Sequence, residues 1–351
     1  MRLLGNLSLL AAALGLTILG LELGFRIVNP QIFPVHPPGM YTPDPVVGYV
    51  PTPGFLGSST RPEYETRVSV GTAGFRGRNP RPRGRNSLRI LCLGDSFTWG
   101  SGVENREAWP HVVEQILRAR YAGADIQVLN GGVPGYGTDE QLLYLQQRLL
   151  GIKPDLVIVA FFAGNDFRDN RSSASQSIEI RDGLLRTKMA QPAYATPIWL
   201  RINNWIKNRS HLHFFLSERL GYLATGAGLL DTVEEARTDF NAEDAQRAVD
   251  LLAEIASVSR ASSSEVLLVF VPDKMHVLGS VDVKGARKVV ADASGASNAP
   301  WLDLTPYLME ASEGASPYFY RFDPHWTADG HQVVAEAIAD KLLSLQLIRL
   351  N

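Results

Sequence analysis

Short, almost wholly apolar runs, each ending in a glycine-containing or polar loop, recur along the sequence and constrain its fold most. Such runs are typical of the inner strands of a parallel sheet. Strands are expected near 88–93, 125–129, 155–162, 265–271 and 301–304, and helices near 108–120, 138–150, 242–260 and 328–346. This alternation predicts an α/β fold, a three-layer α/β/α sandwich with a central parallel sheet.

The first apolar run leads to a candidate nucleophile. Residues 88–93 are followed by Gly94, Asp95 and Ser96, and the glycine supplies a sharp exit from the strand. Ser96 is therefore expected at the carboxyl edge of the sheet, where open α/β sheets bind their ligands. Since Asp and Ser are also ordinary turn residues, the tripeptide alone leaves a turn without catalytic function as an equal alternative.

Three further blocks of small and polar residues follow predicted strands. Glycines occupy the loop at 131–137, Asn165 follows the third strand, and the sequence Phe-Asp-Pro-His-Trp-Thr fills 322–327. Together with Ser96, these blocks place Ser, Gly, Asn and His in the order found in the SGNH (GDSL-type) hydrolases. The chain resembles that family over residues 88–346. The resemblance implies a flavodoxin-like sandwich and a serine esterase.

A catalytic serine imposes requirements of its own. An unactivated serine is a poor nucleophile, so a base must lie within hydrogen-bond reach, and a third group must fix the tautomer of that base. His325 and Asp323 are the candidates for these two roles, with Ser96 as the nucleophile.

The negative charge of a tetrahedral intermediate needs hydrogen-bond donors that are already in place. The resemblance assigns this oxyanion hole to the backbone N–H groups of Ser96 and Gly135 and to the side-chain amide of Asn165. The family's spacing favours Gly135 over Gly131 and Gly132.

The spacing of the acid and the base departs from the common family pattern. Two residues usually separate them, whereas only Pro324 stands between Asp323 and His325, and residue 322 is Phe. A one-residue spacer also occurs in SGNH-like proteins of exopolysaccharide acetylation, so the chain resembles that branch of the family.

A second acid–base pair, Asp329 and His331, competes with the first. Thr327 has the pattern of a helix N-cap, with Asp329 in the first turn, and a periodic apolar helix follows from Val333 to Leu345. This pattern favours Asp329 and His331 as residues of a helix start.

The other polar candidates have less specific interpretations. His211 and His213 have no Asp, Glu or Cys nearby, so neither a metal site nor a cofactor is expected. His276 follows a strand and either approaches the substrate or lies on the rim of the site. Asp95 and Asp166 are expected to make turn and supporting hydrogen bonds.

The amino terminus predicts a membrane segment. Residues 3–21 carry no charge, and about 20 apolar residues suffice to span a bilayer as a helix. We expect residues 1–26 to form an uncleaved signal anchor, because no small-x-small cleavage site follows; a cleaved signal peptide and a buried helix are the alternatives. The flanking charges weakly favour a single-pass protein of the cell membrane, with its catalytic domain on the periplasmic or extracellular side.

Residues 27–86 differ in composition from the rest of the chain. Eleven of its 21 prolines fall within 30–82, among recurring apolar residues. This predicts an extended connector that packs on the core as edge strands or loops. Six arginines crowd around its end, which indicates either a solvated approach to the first strand or a contact with anionic lipid or acidic polysaccharide. They are Arg76, Arg78, Arg81, Arg83, Arg85 and Arg89.

The hydrolase domain is expected over 87–351, with an insertion near 167–241 that is too long for an ordinary crossover. Its apolar residues either line an acyl or sugar pocket or belong to a core. They are Trp199, Trp205, Leu212, Phe214, Phe215, Leu216 and Tyr222. The chain has 34 basic and 36 acidic residues, a balance that argues against a dedicated nucleic-acid binder.

Taken together, these patterns predict a membrane-anchored serine esterase that works through an acyl-enzyme. Its expected substrates are small acyl esters, acetyl in particular, on cell-surface carbohydrate. One alternative is a polysaccharide O-acetyltransferase of the same fold. Another is a non-catalytic glycan-binding or assembly protein, against which the intact blocks weigh.

Overall fold

The structure is a computed structural model, and it describes residues 2–31, 37–171, 178–181, 183–187, 206, 209–217, 240–279, 284–309, 317–321 and 323–348. The strands are β1 (Tyr41–Asp44), β2 (Gly48–Pro51), β3 (Leu56–Arg61), β4 (Tyr64–Ser69), β5 (Ser87–Leu93), β6 (Asp125–Asn130), β7 (Leu156–Phe162), β8 (Ile178–Arg181), β9 (Leu184–Thr187), β10 (Glu265–Val271) and β11 (Trp301–Asp303). The helices are α1 (Arg2–Val28), α2 (Ser96–Trp99), α3 (Trp109–Arg120), α4 (Thr138–Tyr144), α5 (Asp166–Asp169), α6 (Ala242–Ala261), α7 (Lys274–Val277), α8 (Lys284–Ser297), α9 (Thr305–Met309) and α10 (Ala328–Ser344).

The chain divides into two compact units. The smaller consists of Met1–Val35, Thr60–Pro62 and Met189–Thr232, and the larger of His36–Ser59, Glu63–Lys188 and Val233–Asn351. Ser96, Gly135, Asn165 and His325 all lie in the larger unit.

The larger unit is built on the predicted parallel sheet. Its five strands run in the order β11-β10-β7-β5-β6, and each pairing is parallel. The predicted α/β/α fold is confirmed. The expected helix at 138–150 is α-helical only to Tyr144 and continues as a π-helix over Leu145–Leu149.

The strand order explains why the blocks can meet. β5 lies between β6 and β7, so the loops that follow these three strands emerge side by side at one edge of the sheet. Ser96 follows β5, the glycine loop follows β6 and Asn165 follows β7. The carboxyl ends of adjacent parallel strands thus bring together residues that are distant in sequence.

The core lies on both faces of the sheet. Successive side chains of a strand point to opposite faces, and along β5 Leu91 and Leu93 join one apolar cluster while Ile90 and Cys92 join the other. Helices α6 and α8 contribute to the first cluster, and α3 and α10 to the second. Buried residues before β5, such as Tyr49, also belong to the first cluster.

The arginine-rich approach to β5 is solvated only in part, with Arg81, Arg83 and Arg85 exposed. Arg76 and Arg89 are buried, at 4% and 7% exposure. Three others form ion pairs, Arg78 with Glu114 at 2.5 Å, Arg81 with Asp125 at 2.7 Å and Arg83 with Asp155 at 2.6 Å. Charge patterning alone made these side chains look solvated or open to an anion, because their carboxylate partners are remote in sequence. Their contacts instead fasten this segment to the sheet domain.

The smaller unit contains the apolar amino-terminal helix. Among the residues that the structure describes, one helix is long and apolar enough to cross a membrane, Ser8–Val28, with mean hydropathy 1.8. A membrane anchor and a signal sequence share this composition. Glu22, near the end of this helix, accepts hydrogen bonds from the Ser210 hydroxyl at 2.7 Å and the Leu212 N–H at 3.0 Å.

The aromatic residues of the insertion are only partly described. Trp199, Trp205 and Tyr222 lie outside the described residues, while the other four lie in the helical stretch 211–217. There Phe214 is buried and Leu216 is 43% exposed. A pocket-lining role for these residues stays a prediction.

Candidate active site

The turn after β5 presents Ser96 at the edge of the sheet. Gly94 has φ +152°, and a Cβ there would lie 2.2 Å from the Thr98 Oγ1, so a side chain is excluded. The Asp95 carboxylate then caps α2 by accepting the Phe97 N–H at 2.9 Å. Ser96 is therefore the first residue of a short helix whose entry is fixed on both sides.

Ser96, His325 and Asp323 form a continuous hydrogen-bonded chain. The His325 Nε2 lies 2.8 Å from the Ser96 Oγ, and the His325 Nδ1 lies 2.5 Å from the Asp323 Oδ1. The side chains of His325 and Asp323 are 20% and 17% exposed, so the pair borders solvent. This geometry can pass the serine proton to the imidazole while the carboxylate holds the ring in one tautomer.

The one-residue spacer is accommodated by a local turn. The Asp323 Oδ1 accepts the backbone N–H of His325 at 3.0 Å as well as the imidazole Nδ1–H. A side-chain oxygen that accepts the N–H two residues on forms an Asx-turn, and Pro324 at its centre has a fixed φ and no N–H to satisfy. The turn gives the acid its reach, so the shortened spacing does not separate it from the base.

The second acid–base pair, Asp329 and His331, is not part of the hydrogen-bonded triad of Ser96, His325 and Asp323. His331 is 1% exposed, and its Nδ1 accepts the Trp109 N–H at 3.3 Å. Burial lowers the pKa of His331 to about 3, so the ring is neutral at physiological pH. Thr327 caps α10 by accepting the Gly330 N–H at 3.3 Å. The prediction that Asp329 and His331 belong to a helix start is confirmed.

The glycines of the loop at 131–137 differ in whether their backbone N–H groups already donate a hydrogen bond. The Gly131 N–H donates to the Cys92 carbonyl at 2.9 Å, and the Gly132 N–H donates to the Asn130 Oδ1 at 3.0 Å. Within the described part of the chain, the N–H groups of Gly135 and Ser96 donate to no other residue. Both therefore remain available to a ligand, as an oxyanion hole requires.

Gly135 is also fixed by its surroundings. Its φ is +81°, and a Cβ would lie 2.8 Å from the Tyr49 Oη. The Tyr49 hydroxyl donates to the Pro134 carbonyl at 2.7 Å, which holds the peptide just before Gly135. Tyr49 was not distinguished by the sequence beyond its apolar surroundings, because its partner lies 85 positions away.

Asn165 is held by an aspartate that the sequence did not single out. Its Nδ2 donates to the Asp169 Oδ2 at 2.7 Å, and its Oδ1 is buried without a hydrogen-bond partner among the described residues. One hydrogen of the amide nitrogen remains for a substrate oxygen. Burial raises the pKa of Asp169, against the opposing effect of Arg168, which contacts it at 3.0 Å. Asp169 therefore orients the proposed third donor.

Two buried carboxylates, Asp95 and Asp166, hold the loops of the site through hydrogen bonds. Asp166 accepts the Phe162 N–H at 3.1 Å and the Thr138 hydroxyl at 3.5 Å, which links the end of β7 to the start of α4. Burial raises the pKa of Asp166 well above its usual range and raises the pKa of Asp95 to about 6. Both residues make the turn and supporting hydrogen bonds expected of them.

The expectation for His276 is wrong in both forms. The residue is 3% exposed, lies in α7 and accepts the Asp273 N–H through its Nδ1 at 3.1 Å. It therefore occupies neither the rim nor a substrate-facing position. Aromatic rings instead support the catalytic imidazole, since Phe97 lies 5.1 Å from His325 and 4.7 Å from Trp326 between ring centres.

Arg76 holds the backbone that follows Ser96 and α2. Its guanidinium donates to the Gly100 carbonyl at 2.5 Å, to the Val103 carbonyl at 2.6 Å and to the Trp99 carbonyl. These carbonyls follow the carboxyl end of α2, where a cation is favourable. Burial lowers the pKa of Arg76 from its ordinary value, yet a guanidinium with three acceptors stays charged near neutral pH.

Comparison with known proteins supplies the family. The family model of the GDSL-like lipase/acylhydrolases matches residues 92–333, more than half of the chain. No curated protein sequence matches significantly.

Solved structures of low sequence identity resemble the chain. A lipase/acylhydrolase from Enterococcus faecalis is 15% identical, with 74% of this chain and 96% of that chain covered and a TM-score of 0.43. A two-domain esterase active on acetylated mannans is 15% identical, with 74% and 50% covered and a TM-score of 0.45. A catalytic mutant of an acetylxylan esterase from Geobacillus stearothermophilus is 14% identical, with 77% and 98% covered and a TM-score of 0.43. The matched residues 92–333 include every block described above, and the chain belongs to the GDSL-like lipase/acylhydrolase family of carboxylic-ester hydrolases.

Proposed function

We propose that the protein is a serine esterase that works through an acyl-enzyme, with Ser96 as nucleophile, His325 as general base and Asp323 as the group that orients the base. The hydrogen-bonded chain from the Ser96 Oγ through His325 to Asp323 is the observation that carries this proposal. Nucleophile and base in direct contact, with the base held by a carboxylate, are what acyl transfer by serine requires.

In the first half-reaction the Ser96 Oγ attacks the ester carbonyl, and its proton passes to the His325 Nε2. Asp323 accepts the Nδ1–H and stabilises the imidazolium. The tetrahedral oxyanion is bound by the N–H groups of Ser96 and Gly135 and by the Asn165 amide, each donor contributing about 3 kcal/mol. Collapse breaks the bond to the alcohol, which leaves with the proton from His325.

In the second half-reaction an acceptor O–H group attacks the acyl-enzyme carbonyl, and His325 takes its proton. Collapse of this second tetrahedral intermediate breaks the bond between the acyl carbon and the Ser96 Oγ, and His325 returns the proton to Ser96. The acceptor is water in a hydrolase and a sugar hydroxyl in an O-acetyltransferase. The one-residue Asp–His spacer, which resembles the polysaccharide-acetylating branch, favours retaining the transferase as a second candidate. Incubating the enzyme with an aryl acetate and an oligosaccharide separates the two, because only a transferase forms acetylated sugar faster than acetate.

We further propose small acyl esters, acetyl in particular, on cell-surface carbohydrate as substrates. A small acyl pocket loses rate as the chain outgrows it, whereas a lipid-binding site gains roughly 0.8 kcal/mol for each methylene it buries. A series of aryl esters from acetyl to dodecanoyl tests this directly. The highest kcat/KM is expected for acetyl, and a steady rise with chain length would contradict the proposal.

The nucleophile is tested by Ser96→Ala. We expect the variant to lose aryl acetate hydrolysis while keeping its melting temperature, since Ser96 contributes little to the core. Wild-type activity in the purified variant would remove the assignment. In a non-catalytic glycan-binding or assembly protein, Ser96→Ala would leave the function intact. The same variant therefore also tests that alternative.

We also propose that residues 1–26 anchor the protein in the membrane, with the sheet domain outside the cytoplasm. The apolar helix Ser8–Val28 supports this. A reporter that is active only outside the cytoplasm, fused after residue 60, is expected to be active, and the full-length chain is expected to stay with membranes after a carbonate wash. Recovery of a shortened, soluble chain would show a cleaved signal peptide instead.

A further inference from the structure

The catalytic acid receives a hydrogen bond from outside the family's blocks. The Oδ1 of Asp323 accepts hydrogen bonds from the backbone N–H and the Nδ1–H of His325, and its Oδ2 accepts the Tyr64 hydroxyl at 3.2 Å. Tyr64 is the first residue of β4 and lies before residue 92, where the family match begins. Each carboxylate oxygen therefore has a donor, and the donor to the Oδ2 comes from the amino-terminal part of the chain.

The residue before Tyr64 holds the backbone of the same loop. The Glu63 carboxylate accepts the Asp323 N–H through its Oε2 at 2.7 Å and the Arg321 N–H through its Oε1 at 2.7 Å. Hydrogen bonds to an ionised acceptor are stronger than those between neutral groups. One side chain thus spans both N–H groups that lead into the Asx-turn.

Further contacts fasten this loop. The rings of Tyr64 and Tyr320 lie 4.9 Å apart, and the Tyr320 hydroxyl donates to the Gly102 carbonyl at 2.6 Å. The Lys274 Nζ donates to the carbonyls of Tyr320 and Arg321 at 2.8 Å each. The described residues from 317 to 325 include neither a helix nor a strand, apart from an isolated bridge at Phe319, so side chains must supply the rigidity.

The one-residue spacer makes this support necessary. Because one oxygen of Asp323 both closes the Asx-turn and holds the imidazole, rotation of the carboxylate would break two hydrogen bonds together. A donor on the other oxygen opposes that rotation. We propose that Glu63 and Tyr64 are positioning residues of the esterase site, which fix Asp323 and through it His325; this inference rests on the proposed function.

The test compares Tyr64→Phe and Glu63→Gln with two matched controls. Tyr307→Phe removes a hydroxyl from an exposed tyrosine of α9, and Glu65→Gln removes the charge of an exposed glutamate of β4. Steady-state kinetics with an aryl acetate, pH–rate profiles and melting temperatures are measured for all four. We expect kcat to fall about tenfold in each test variant, with KM unchanged and the melting temperature lowered by no more than a few degrees, and both controls to match wild type.

The pH–rate profile separates positioning from mere structure. In Tyr64→Phe the Asp323 carboxylate loses a donor and stabilises the imidazolium more, so the acid limb moves to higher pH. In Glu63→Gln a nearby negative charge is lost, so the acid limb moves to lower pH. Asp95, His331 and Tyr320 also interact electrostatically with this pair, and they are unchanged in both variants.

The outcomes are distinct from those of the nucleophile test. A fall in kcat with opposite shifts of the two acid limbs supports the inference. Kinetics within about twofold of wild type, or a fall in kcat without these shifts, overturns it. If Ser96→Ala is inactive while both test variants behave as wild type, this inference alone fails. If Ser96→Ala keeps full activity, the proposed function fails and the inference falls with it.

Discussion

The reacting groups and the groups that hold them come from two different regions of the chain. The sheet domain from β5 onward contains the proposed nucleophile, base, acid and oxyanion donors, all within the family match at 92–333. Residues 37–59 and 63–86, which we call the N-terminal segment, supply no reacting group. Their side chains instead contact three of the four catalytic blocks: Tyr49 at Pro134, Tyr64 at Asp323 and Arg76 behind Ser96.

This difference shows that the sheet topology gathers the proposed reacting groups, whereas side chains of the N-terminal segment hold them in position. Parallel strands bring Ser96, Gly135 and Asn165 together through topology alone. His325 lies on a loop without such a strand, and two of the side chains that hold that loop are Glu63, which accepts the Asp323 N–H, and Tyr64, which donates to the Asp323 Oδ2. A segment outside the family match therefore completes the geometry of the blocks within it.

The two regions also differ in the charges that they bury. The sheet domain buries carboxylates such as Asp95 and Asp166, whose pKa values burial raises. The N-terminal segment buries the guanidinium of Arg76, whose pKa burial lowers. Substitution of a proposed reacting group is expected to lower kcat, whereas substitution of the buried Arg76 is expected to lower stability.

The largest effect is expected at the base. His325→Ala should lower kcat by about 10⁴-fold or more, since the nucleophile loses its proton acceptor, while the melting temperature stays near that of wild type. The matched variant His331→Ala should keep most of its activity and lose about 1–3 kcal/mol of stability, because the Trp109 N–H loses its acceptor. The reverse ranking in an aryl acetate assay would move the catalytic role to His331.

A large effect on stability is expected at Arg76. Arg76→Leu leaves the carbonyls of Trp99, Gly100 and Val103 without this donor, and we expect a loss of about 3–5 kcal/mol in the free energy of unfolding. Arg85→Gln, at an exposed position of the same segment, should change it by less than about 0.5 kcal/mol. Denaturant unfolding measures both, and equal small changes would show that the segment does not brace the nucleophile turn.

The pH dependence of stability should reveal the buried Asp95. Its pKa is raised from 3.8 in the unfolded chain to about 6 in the folded protein, so between these values the folded state holds a proton that the unfolded state has lost. The stabilising contribution is complete below pH 3.8 and is lost as the pH rises through 6. Relative to Asp95→Asn, wild type should therefore lose about 2 kcal/mol between pH 4 and pH 7. Parallel curves for the two proteins would contradict the raised pKa.

The smallest effect is expected at Tyr49. Tyr49→Phe removes one hydrogen bond to the Pro134 carbonyl, which should cost about 1 kcal/mol of stability and lower kcat several-fold through the Gly135 peptide. Tyr121→Phe, at the carboxyl end of α3, is the control. An unchanged kcat in Tyr49→Phe would limit the role of this residue to packing.

The strands of the sheet and the polar blocks after them could be predicted from the sequence, because each is specified by a few consecutive residues. The run before Gly94 and the glycines near Gly135 carry their own strand and turn signals. His276 was misjudged because a histidine after a strand gives no sign of whether it faces solvent or a buried N–H.

The supports of the site could not be predicted from such windows. The Arg76 guanidinium reaches carbonyls more than twenty positions away, and Tyr64 lies 259 positions from Asp323. Pairing across such distances leaves no periodicity in a single sequence. The short Asp–His spacer was visible, but its Asx-turn and the need for outside support follow only from the folded loop.

Covalent labelling of the nucleophile tests the central claim most directly. An alkyl fluorophosphonate forms a stable phosphorus–oxygen bond with an activated serine and releases fluoride. Intact mass and peptide mapping should find one adduct per chain, on Ser96, in wild type, and none in Ser96→Ala. An adduct on another residue, or equal labelling of Ser96→Ala, would contradict the account.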